Sequence, residues 1–303
     1  MVVGVDLGGT KIMTGAIGHK GKVYGKPVKI PTDPDDPEEK IVERIITSIE
    51  KVWEGSGIRE LRGIGIGSTG PVDREAGMIL DCPQLPTLHF FNLREAIQNH
   101  FGVPVKLNND ANCLILGECI FGAAVNKQNV VGFTLGTGLG CAIIFQKKIL
   151  NGANGTAAEI WPSPYASGTL EDYISGAGVS RLYQSIARRE ASALDIYHLA
   201  VSGDPAALET WAAFGKHLAV PIAWAVNLID PEVVVLGGSM TLAYPFFRTT
   251  MENHFRQYVC SIPAEKTKIV PSGLGDHAGF IGAACLMLDD EGVDAINGQG
   301  ITD

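Results

Sequence analysis

The sequence predicts an α/β protein built from two related domains. Apolar strand patterns alternate with amphipathic helical patterns, and 303 residues suit two medium domains that each have a core. Two glycine-rich turns, at residues 8–9 and 136–140, each join a strand to another strand rather than to a helix. Because one turn lies in each half of the chain, the pair indicates two related domains that hold one polyphosphate.

Composition excludes several classes of protein. The hydrophobic share of 46% and the charged share of 19% are those of a globular chain. A net charge of -9 without a basic block argues against nucleic acid as a partner. We find no apolar run of membrane-spanning length, and Met1 opens directly into a strand rather than a leader, so we expect a cytoplasmic protein that does not contact membranes. The six cysteines form no CxxC pair and read as buried, reduced thiols.

The first segment reads strand, turn, strand. Gly8 and Gly9 permit a tight turn whose backbone N–H groups face an anion, and Thr10 and Lys11 add donors. No helix follows and GxxxxGK[ST] is absent, so this is not a P-loop; an ordinary glycine hairpin is the alternative. Asp6 ends the buried strand, where an unpaired carboxylate is costly. A hydrated Mg²⁺ would account for it.

The next elements are a helix over 38–54 and a strand over 63–68 in which glycines alternate. Alternating glycine lets another backbone or a flat ligand approach closely. The turn at Gly70 offers amides to a ligand hydroxyl, although a purely structural turn fits equally well. A helix is predicted over 92–101.

The central stretch places one carboxylate, Asp110, at the junction of a strand over 103–107 and a helix over 111–124. Asn109 or Asp110 is positioned to cap the first turn. Donors at a helix N-terminus lower the pKa of such a carboxylate and keep it ionised. Alone, the pair reads as a helix cap; the neighbouring glycine turns indicate a functional site.

The second glycine turn contains Gly136, Thr137 and Gly138 between strands within 130–145. It resembles fragments of GxGxxG, but no helix follows, so the dinucleotide fingerprint is excluded. Further along, Gly237 and Gly238 end a fully apolar strand, which is typical of a buried parallel strand with room for a base and ribose.

The region over 151–176 is the most unusual. Glu159 and Glu171 could accept hydrogen bonds from sugar hydroxyls, with Trp161 or Tyr165 as an apolar wall. A solvated carboxylate that favours the helix dipole is the alternative for Glu171. Helices are then predicted over 195–201, 204–229, 243–258 and 280–288, before a polar tail over 289–303 that we expect to fray.

Five motifs in this order resemble the ROK family of sugar kinases and repressors, over residues 1 to about 288. They are DLGGTK from Asp6, NDAN from Asn109, LGTGLG from Leu135, LGG from Leu236 and GDHAG from Gly275. The resemblance implies the two-domain fold of the actin, Hsp70 and hexokinase superfamily, with the active site in the interdomain cleft. It also implies phosphorylation of a hexose by ATP, which we expect to occur at the 6-hydroxyl.

The resemblance further implies roles for single residues. Asp110 is the general base, and Gly70, Asn109, Asp110, Glu159 and Glu171 contact the sugar. Mg²⁺ is held by Asp6 through water. The nucleotide is bound by residues 8–11, 136–138 and 237–238, which include Gly8, Gly9, Thr10, Lys11, Gly136, Thr137, Gly138, Gly237 and Gly238. We expect a small domain of residues 1–116 with 279–303, a larger one of 117–278, and a homodimer.

The chain departs from the family pattern at the sugar segment. Pro162 stands where the family has a histidine after Glu-x-Gly, and the zinc-binding cysteines are missing, so we predict no structural zinc and leave the sugar open. Thr69 replaces a usual proline. No helix-turn-helix precedes the kinase region, which disfavours a repressor. The alternatives are a kinase for an amino sugar or polyol, and a non-catalytic sensor of ATP and sugar.

Overall fold

The computed structural model describes residues 1–18 and 21–288 of this α/β chain; the expectations for the tail over 289–303 lie outside the described residues. The strands are β1 (Val2–Leu7), β2 (Lys11–Ile17), β3 (Val23–Pro31), β4 (Gly63–Ser68), β5 (Val72–Asp73), β6 (Met78–Ile79), β7 (Val105–Asn109), β8 (Val130–Leu135), β9 (Leu139–Phe145), β10 (Lys148–Ile149), β11 (Pro164–Tyr165), β12 (Gly168–Thr169), β13 (Val233–Gly237) and β14 (Lys268–Pro271). The α-helices are α1 (Glu38–Ser56), α2 (Leu93–Phe101), α3 (Asp110–Phe121), α4 (Leu170–Tyr173), α5 (Gly176–Ala187), α6 (Ala193–Val201), α7 (Pro205–Ile229), α8 (Tyr244–Tyr258), α9 (Ser261–Lys266) and α10 (Ala278–Cys285).

These elements form two compact units. The first comprises residues 1–126, 149–157 and the described residues from 276 onward, and the second comprises 127–148 and 158–275. The predicted boundary after residue 116 falls inside α3, which belongs entirely to the first unit.

The two units share one sheet topology. The five-stranded sheets have the orders β3-β2-β1-β4-β7 and β10-β9-β8-β13-β14, so each reads 3-2-1-4-5 when its own strands are counted along the chain. In both sheets the first two strands along the chain form an antiparallel pair, β1 with β2 and β8 with β9. The first and fourth strands along the chain, β1 with β4 and β8 with β13, pair in parallel. The paired glycine turns predicted two related domains, and the two units accordingly have the same strand order.

In the first unit, glycines let helices approach the sheet backbone. A Cβ at Gly4 or Gly65 would collide with main-chain atoms of α10, and one at Gly282 would collide with the main chain of α3. The alternating glycines of β4 thus serve helix packing rather than a flat ligand. The rest of this core is aliphatic and surrounds Ile41, Ile45 and Ile49 of α1.

In the second unit, α7 lies at the centre of the core. Trp211 and Phe214 of this helix pack edge to face, and Phe247 of α8 lies 5.2 Å from Phe214 between ring centroids. Among the described residues, α7 is the one helix long and apolar enough to cross a membrane, contrary to the expectation that no run reaches that length. Its buried face belongs to the core, and such a core helix passes the same test of length and composition.

Several helix boundaries differ from the sequence expectations. The helix expected over 111–124 ends at Phe121, and the helix expected over 280–288 occupies 278–285. The helix expected from residue 243 begins at Tyr244, after a 3₁₀ turn over 239–243. Each difference lies at an end, where capping and main-chain contacts decide the boundary more than apolar spacing does.

Candidate active site

In the first unit, three parallel strands bring the predicted residues to one sheet edge. Asp6 on β1 is in register with Gly67 on β4, which is in register with Asn108 on β7. Asp6 and Asn108 are therefore two strand spacings apart, a distance of about 10 Å. Because parallel strands end at the same edge, Asp6, the turn at Gly70 and the Asn109–Asp110 pair follow one another there.

Asn109, rather than Asp110, is the N-cap of α3. Its Oδ1 accepts hydrogen bonds from the backbone N–H groups of Ala111 at 2.9 Å and Asn112 at 3.3 Å. Asp110 is the first helical residue, and its Oδ1 accepts from the N–H of Ala111 at 2.7 Å. The helix N-terminus therefore favours the ionised carboxylate of Asp110.

Asn109 also joins the cap to the turn at Gly70. Its Nδ2 donates to the Gly70 carbonyl oxygen at 3.2 Å. Gly70 has φ +85°, and a Cβ there would collide with the side chain of Cys82, so both conformation and space require glycine. The predicted sugar ligands of this unit thus come together within one hydrogen-bonded group.

A network of carboxamides, which the sequence analysis missed, lies behind this group. Asn108 Oδ1 accepts from the Asn109 N–H at 2.8 Å and from Asn112 Nδ2 at 3.0 Å. Asn108 Nδ2 donates to Asn151 Oδ1 at 3.3 Å, which ties β7 to the segment over 149–157. The signal available in the sequence was the density of asparagine around Asp110.

Asp6 is a largely buried carboxylate that keeps partial contact with solvent. Burial raises its pKa from 3.8 to about 6, while the positive charge of Lys11 opposes that rise. A Cβ at Gly279 of α10 would come within 2.5 Å of Asp6 Oδ2, so glycine there makes room for the carboxylate. A buried carboxylate that favours neutralisation is a suitable partner for a hydrated Mg²⁺.

The thiol of Cys113 lies within electrostatic reach of both carboxylates. Burial first, then the negative charges of Asp110 and Asp6, raise the pKa of Cys113 well above its usual value. The two predicted functional carboxylates therefore share one region of the first unit.

The first glycine turn is a tight hairpin. The Gly8 N–H donates to the Lys11 carbonyl oxygen at 3.0 Å. Thr32, which directly follows β3, stabilises the turn through two hydrogen bonds. Its Oγ1 donates to the Gly8 carbonyl at 2.6 Å and its N–H donates to the Thr10 carbonyl at 3.2 Å. At Gly9 a Cβ would lie 2.9 Å from the Gln84 Cβ, so this glycine is required by space.

The second unit repeats this arrangement at the carboxyl ends of β8 and β13. Leu236 pairs with Phe133 and Gly237 with Thr134, so the turn over 136–138 lies beside Gly238. Gly238 has φ +87°, and a Cβ there would collide with the main chain of Leu135. One sheet edge of this unit therefore contains Gly136, Thr137, Gly138, Gly237 and Gly238, and their binding of a shared ligand stays a prediction.

Glu171 braces the second glycine turn. Its Oε2 accepts from the Leu139 N–H at 2.9 Å, and a Cβ at Gly138 would collide with this same oxygen. The Gly176 N–H also donates to the Gly136 carbonyl at 2.8 Å. Glu171 lies in the first turn of α4, and its hydrogen bond from the Leu139 N–H makes it more than a solvated first-turn acid.

Glu159 and Glu171 are connected through Trp161. The indole Nε1 donates to Glu159 Oε2 at 2.8 Å, and the Glu171 N–H donates to the Trp161 carbonyl at 3.2 Å. Burial raises the pKa of Glu159, and the hydrogen bond from Trp161 opposes that rise. The indole therefore acts through a polar contact as well as an apolar wall.

Within residues 1–18 and 21–288, no group of three or more His, Cys, Asp or Glu side chains is arranged to hold a metal ion. The absence of a structural zinc stays a prediction. Over the same residues, five cysteines are buried and Cys260 is exposed, all with free thiols.

Comparison with known proteins identifies the family. The ROK family model matches residues 2–290. A glucokinase of Thermotoga maritima is 29% identical over 95% of this chain and 97% of its own length, and an N-acetyl-D-glucosamine kinase of Photobacterium profundum is 31% identical over 95% and 99%. The crystal structure of a ROK family glucokinase from Streptomyces griseus, in complex with glucose and AMPPNP, matches with a TM-score of 0.84 and 27% identity over 94% of this chain and 98% of that one. This match confirms the predicted actin-like and hexokinase-like two-domain fold, and the chain belongs to the ROK family.

Proposed function

We propose that this protein transfers the γ-phosphoryl group of ATP to the 6-hydroxyl of a hexose, with Asp110 as the general base. Family membership and the named relatives make the chain a carbohydrate kinase. The observation that carries the finer proposal is the position of Asp110 at the N-terminus of α3, next to the Asn109 cap and its bond to Gly70.

The proposed base meets two requirements of the reaction. A sugar hydroxyl is a poor nucleophile, so a carboxylate that accepts its proton contributes on the order of 10²- to 10⁴-fold to the rate. The positive end of the α3 dipole interacts favourably with a negative charge on Asp110, and the bond from the Ala111 N–H fixes one of its oxygens. Asn109 is held by the cap and by the bond from its Nδ2 to the Gly70 carbonyl, and we assign its side-chain amide to contact with the sugar.

Phosphoryl transfer depends mainly on positioning the reactants and neutralising the negative charge of the phosphates, with little covalent chemistry by the protein. We assign this task to the backbone amides of residues 8–10 and 136–138, with Lys11 and Thr10 adding side-chain donors. We assign the nucleoside to the edge of β8 and β13, beside Gly237 and Gly238.

Asp6 is the residue that would hold Mg²⁺, through water. The burial of Asp6 and its raised pKa fit a carboxylate that a nearby cation would stabilise in its charged form. The ion would supply positive charge to the phosphates.

The acceptor side of the proposal involves Glu159 and Glu171. Glu159 is held by Trp161 and Glu171 by the Leu139 N–H, so each carboxylate has one oxygen fixed by the protein. Pro162 occupies the position of the family's histidine and contributes no side-chain hydrogen bond to a sugar. An amino sugar or polyol acceptor is therefore the second candidate, and an N-acetyl-D-glucosamine kinase is among the relatives.

The test is Mg²⁺- and ATP-dependent ADP release with glucose, fructose, mannose, N-acetylglucosamine, N-acetylmannosamine, allose and several polyols. We expect one acceptor to stimulate turnover and Asp110→Asn to lower kcat at least about 100-fold while the sugar still binds. Asp195→Asn is the matched control, because Asp195 is also a first-turn carboxylate, on α6, and has no assigned role.

Undiminished turnover in Asp110→Asn would exclude it as the base. Binding of ATP and a sugar without ADP release would favour the sensor. Two further expectations, a homodimer and a cytoplasmic location, belong to the same proposal and are checked by light scattering and by fractionation of cells.

A further inference from the structure

The segment that carries Glu159 and Glu171 has little regular structure of its own. Its β11–β12 hairpin pairs only two residues per strand, Pro164 with Thr169 and Tyr165 with Gly168. An isolated two-stranded hairpin is marginally stable even when longer. Contacts from elsewhere in the second unit must therefore fix the positions of the two carboxylates.

Three side chains, Tyr165, Tyr173 and His217, provide such contacts; we call them the aromatic anchor. The Tyr165 hydroxyl lies 2.9 Å from His217 Nδ1. Ring centroids are 5.2 Å apart for the two tyrosines, 5.7 Å for Tyr165 and His217, and 5.0 Å for Tyr173 and His217. His217 belongs to the core helix α7, so the anchor joins the hairpin and α4 to the core of the unit.

The second tyrosine closes the hairpin. The Tyr173 hydroxyl lies 2.7 Å from Ser167 Oγ and accepts from the Ser167 N–H at 3.4 Å. Tyr173 ends α4, two residues after Glu171. The anchor therefore holds both sides of the hairpin and the short helix that carries this carboxylate.

Hydrogen bonds at the base of the hairpin link it to both carboxylates. The Leu170 N–H donates to the Ser163 carbonyl at 3.0 Å, and the Glu171 N–H donates to the Trp161 carbonyl. Trp161 in turn donates to Glu159. A displacement of the hairpin would therefore move both Glu159 and Glu171.

The protonation states suit this arrangement. Burial, and then the nearby charge of Lys216, lower the pKa of His217, so its ring is neutral at pH 7 and one nitrogen can accept a hydrogen bond. Burial raises the pKa of Tyr165, which keeps its hydroxyl proton available to donate.

We propose that His217 is a positioning residue for the sugar: by holding Tyr165, it fixes the segment from which Glu159 and Glu171 contact the acceptor. The functional half rests on the proposed sugar kinase activity. The structural half, that His217 orders this segment, stands on the contacts alone.

The experiment compares His217→Ala with His217→Asn, because asparagine can place an oxygen near the position of Nδ1 and thus rescue the bond. We expect His217→Ala to raise the KM for the sugar about five- to tenfold, as loss of one oriented hydrogen bond would. The KM for ATP should stay within about twofold, and His217→Asn should recover most of the sugar affinity.

A matched control is available on α8. The hydroxyl of Tyr258 lies 3.3 Å from His254 Nδ1, so this is also a tyrosine–histidine pair of the second unit, but Tyr258 is exposed and His254 is half-buried. His254→Ala should leave both KM values unchanged. Tyr165→Phe, which keeps the ring and removes the hydroxyl, gives a second test if His217→Ala fails to fold.

Hydrogen exchange supplies a readout that does not need turnover. The amides of Leu170 and Glu171 should exchange faster in His217→Ala, return toward wild type in His217→Asn, and be unaffected in His254→Ala. Unchanged exchange, or faster exchange with an unchanged sugar KM, would overturn the proposal. Absence of any sugar phosphorylation in the wild type would instead refute the proposed function and with it the functional half, while exchange still decides the structural half.

Discussion

Replacing Asp6 by asparagine should stabilise the protein in the absence of ligands. Burial raises the pKa of this carboxyl from 3.8 to about 6, so near neutral pH the folded state contains an ionised group in surroundings that disfavour its charge. That difference in pKa corresponds to about 3 kcal/mol. Asp6 keeps partial contact with solvent, which makes this figure an upper value. An asparagine side chain at this position would have the same shape and no charge to desolvate.

The stabilisation has a defined pH dependence. Because the folded-state pKa is raised, the contribution of Asp6 to folding stability is fully present below about pH 4 and is lost as the pH rises through about 6. The advantage of Asp6→Asn should therefore reach its full value at pH 8, fall to about half at pH 5, and vanish at more acidic pH.

The assay is urea unfolding of the ligand-free protein at pH 8, 6 and 5, followed by circular dichroism. Asp73→Asn is the matched control in the same unit, since Asp73 Oδ1 accepts turn hydrogen bonds from the N–H groups of Glu75 and Ala76. Its replacement should leave stability unchanged or lower it.

Two results would refute the reasoning about Asp6. One is an Asp6→Asn variant that is no more stable than wild type at pH 8, and the other is a gain that does not change with pH. If Asp6 serves Mg²⁺ as proposed, Mg²⁺ with nucleotide should also stabilise the wild type more than the variant.

The remaining predictions concern the cap, the helix packing and the sugar segment. Asn109→Ala should lower the free energy of unfolding by about 1 kcal/mol and weaken sugar binding, whereas Asn109→Ser should keep the cap and still bind sugar poorly. Thermal unfolding measures the first effect and sugar titration the second. Full sugar binding by Asn109→Ser would contradict the assignment of Asn109 to the sugar. Gly282→Ala should destabilise the protein by at least about 2 kcal/mol because its Cβ would collide with α3. Gly55→Ala, at a position of α1 with open space around it, should stabilise the protein by up to about 1 kcal/mol. Equal urea midpoints for the two variants would show that α10 moves at no cost. Burial raises the pKa of Glu159, so sugar affinity should fall on acidification at a higher pH than it would with an ordinary glutamate. Trp161→Phe removes a hydrogen bond that opposes this rise and should move the fall in affinity to still higher pH. An identical dependence of the sugar KM on pH in the wild type and Trp161→Phe would exclude the hydrogen bond as the cause.

Much of the first unit's site could be predicted because its residues are close in sequence. Asn109 and Asp110 sit at a strand-to-helix junction, where capping preferences and the helix dipole act over a few residues. The glycine turns are local for the same reason. The strand-to-strand context of those turns excluded the P-loop and dinucleotide motifs, and β1 to β2 and β8 to β9 are indeed hairpins.

Tertiary contacts decide other assignments that the sequence left open. The glycines of β4 suggested a ligand or a backbone, and at Gly65 the backbone is that of α10. Glu171 suggested either a sugar ligand or a solvated acid, and its carboxylate holds the N–H of Leu139. In each case the sequence named a chemical group and left its partner undetermined.

The sequence by itself determined the family, the paired α/β organisation and the position of the proposed base. Only the tertiary structure decided which distant groups support that site. Glu171 and Leu139 are 32 residues apart, Asn108 and Asn151 are 43 apart, and Tyr165 and His217 are 52 apart. Local patterns follow from backbone propensities and capping within a few residues, whereas these pairs form only when the sheets and α7 have packed and closed the long loops between them.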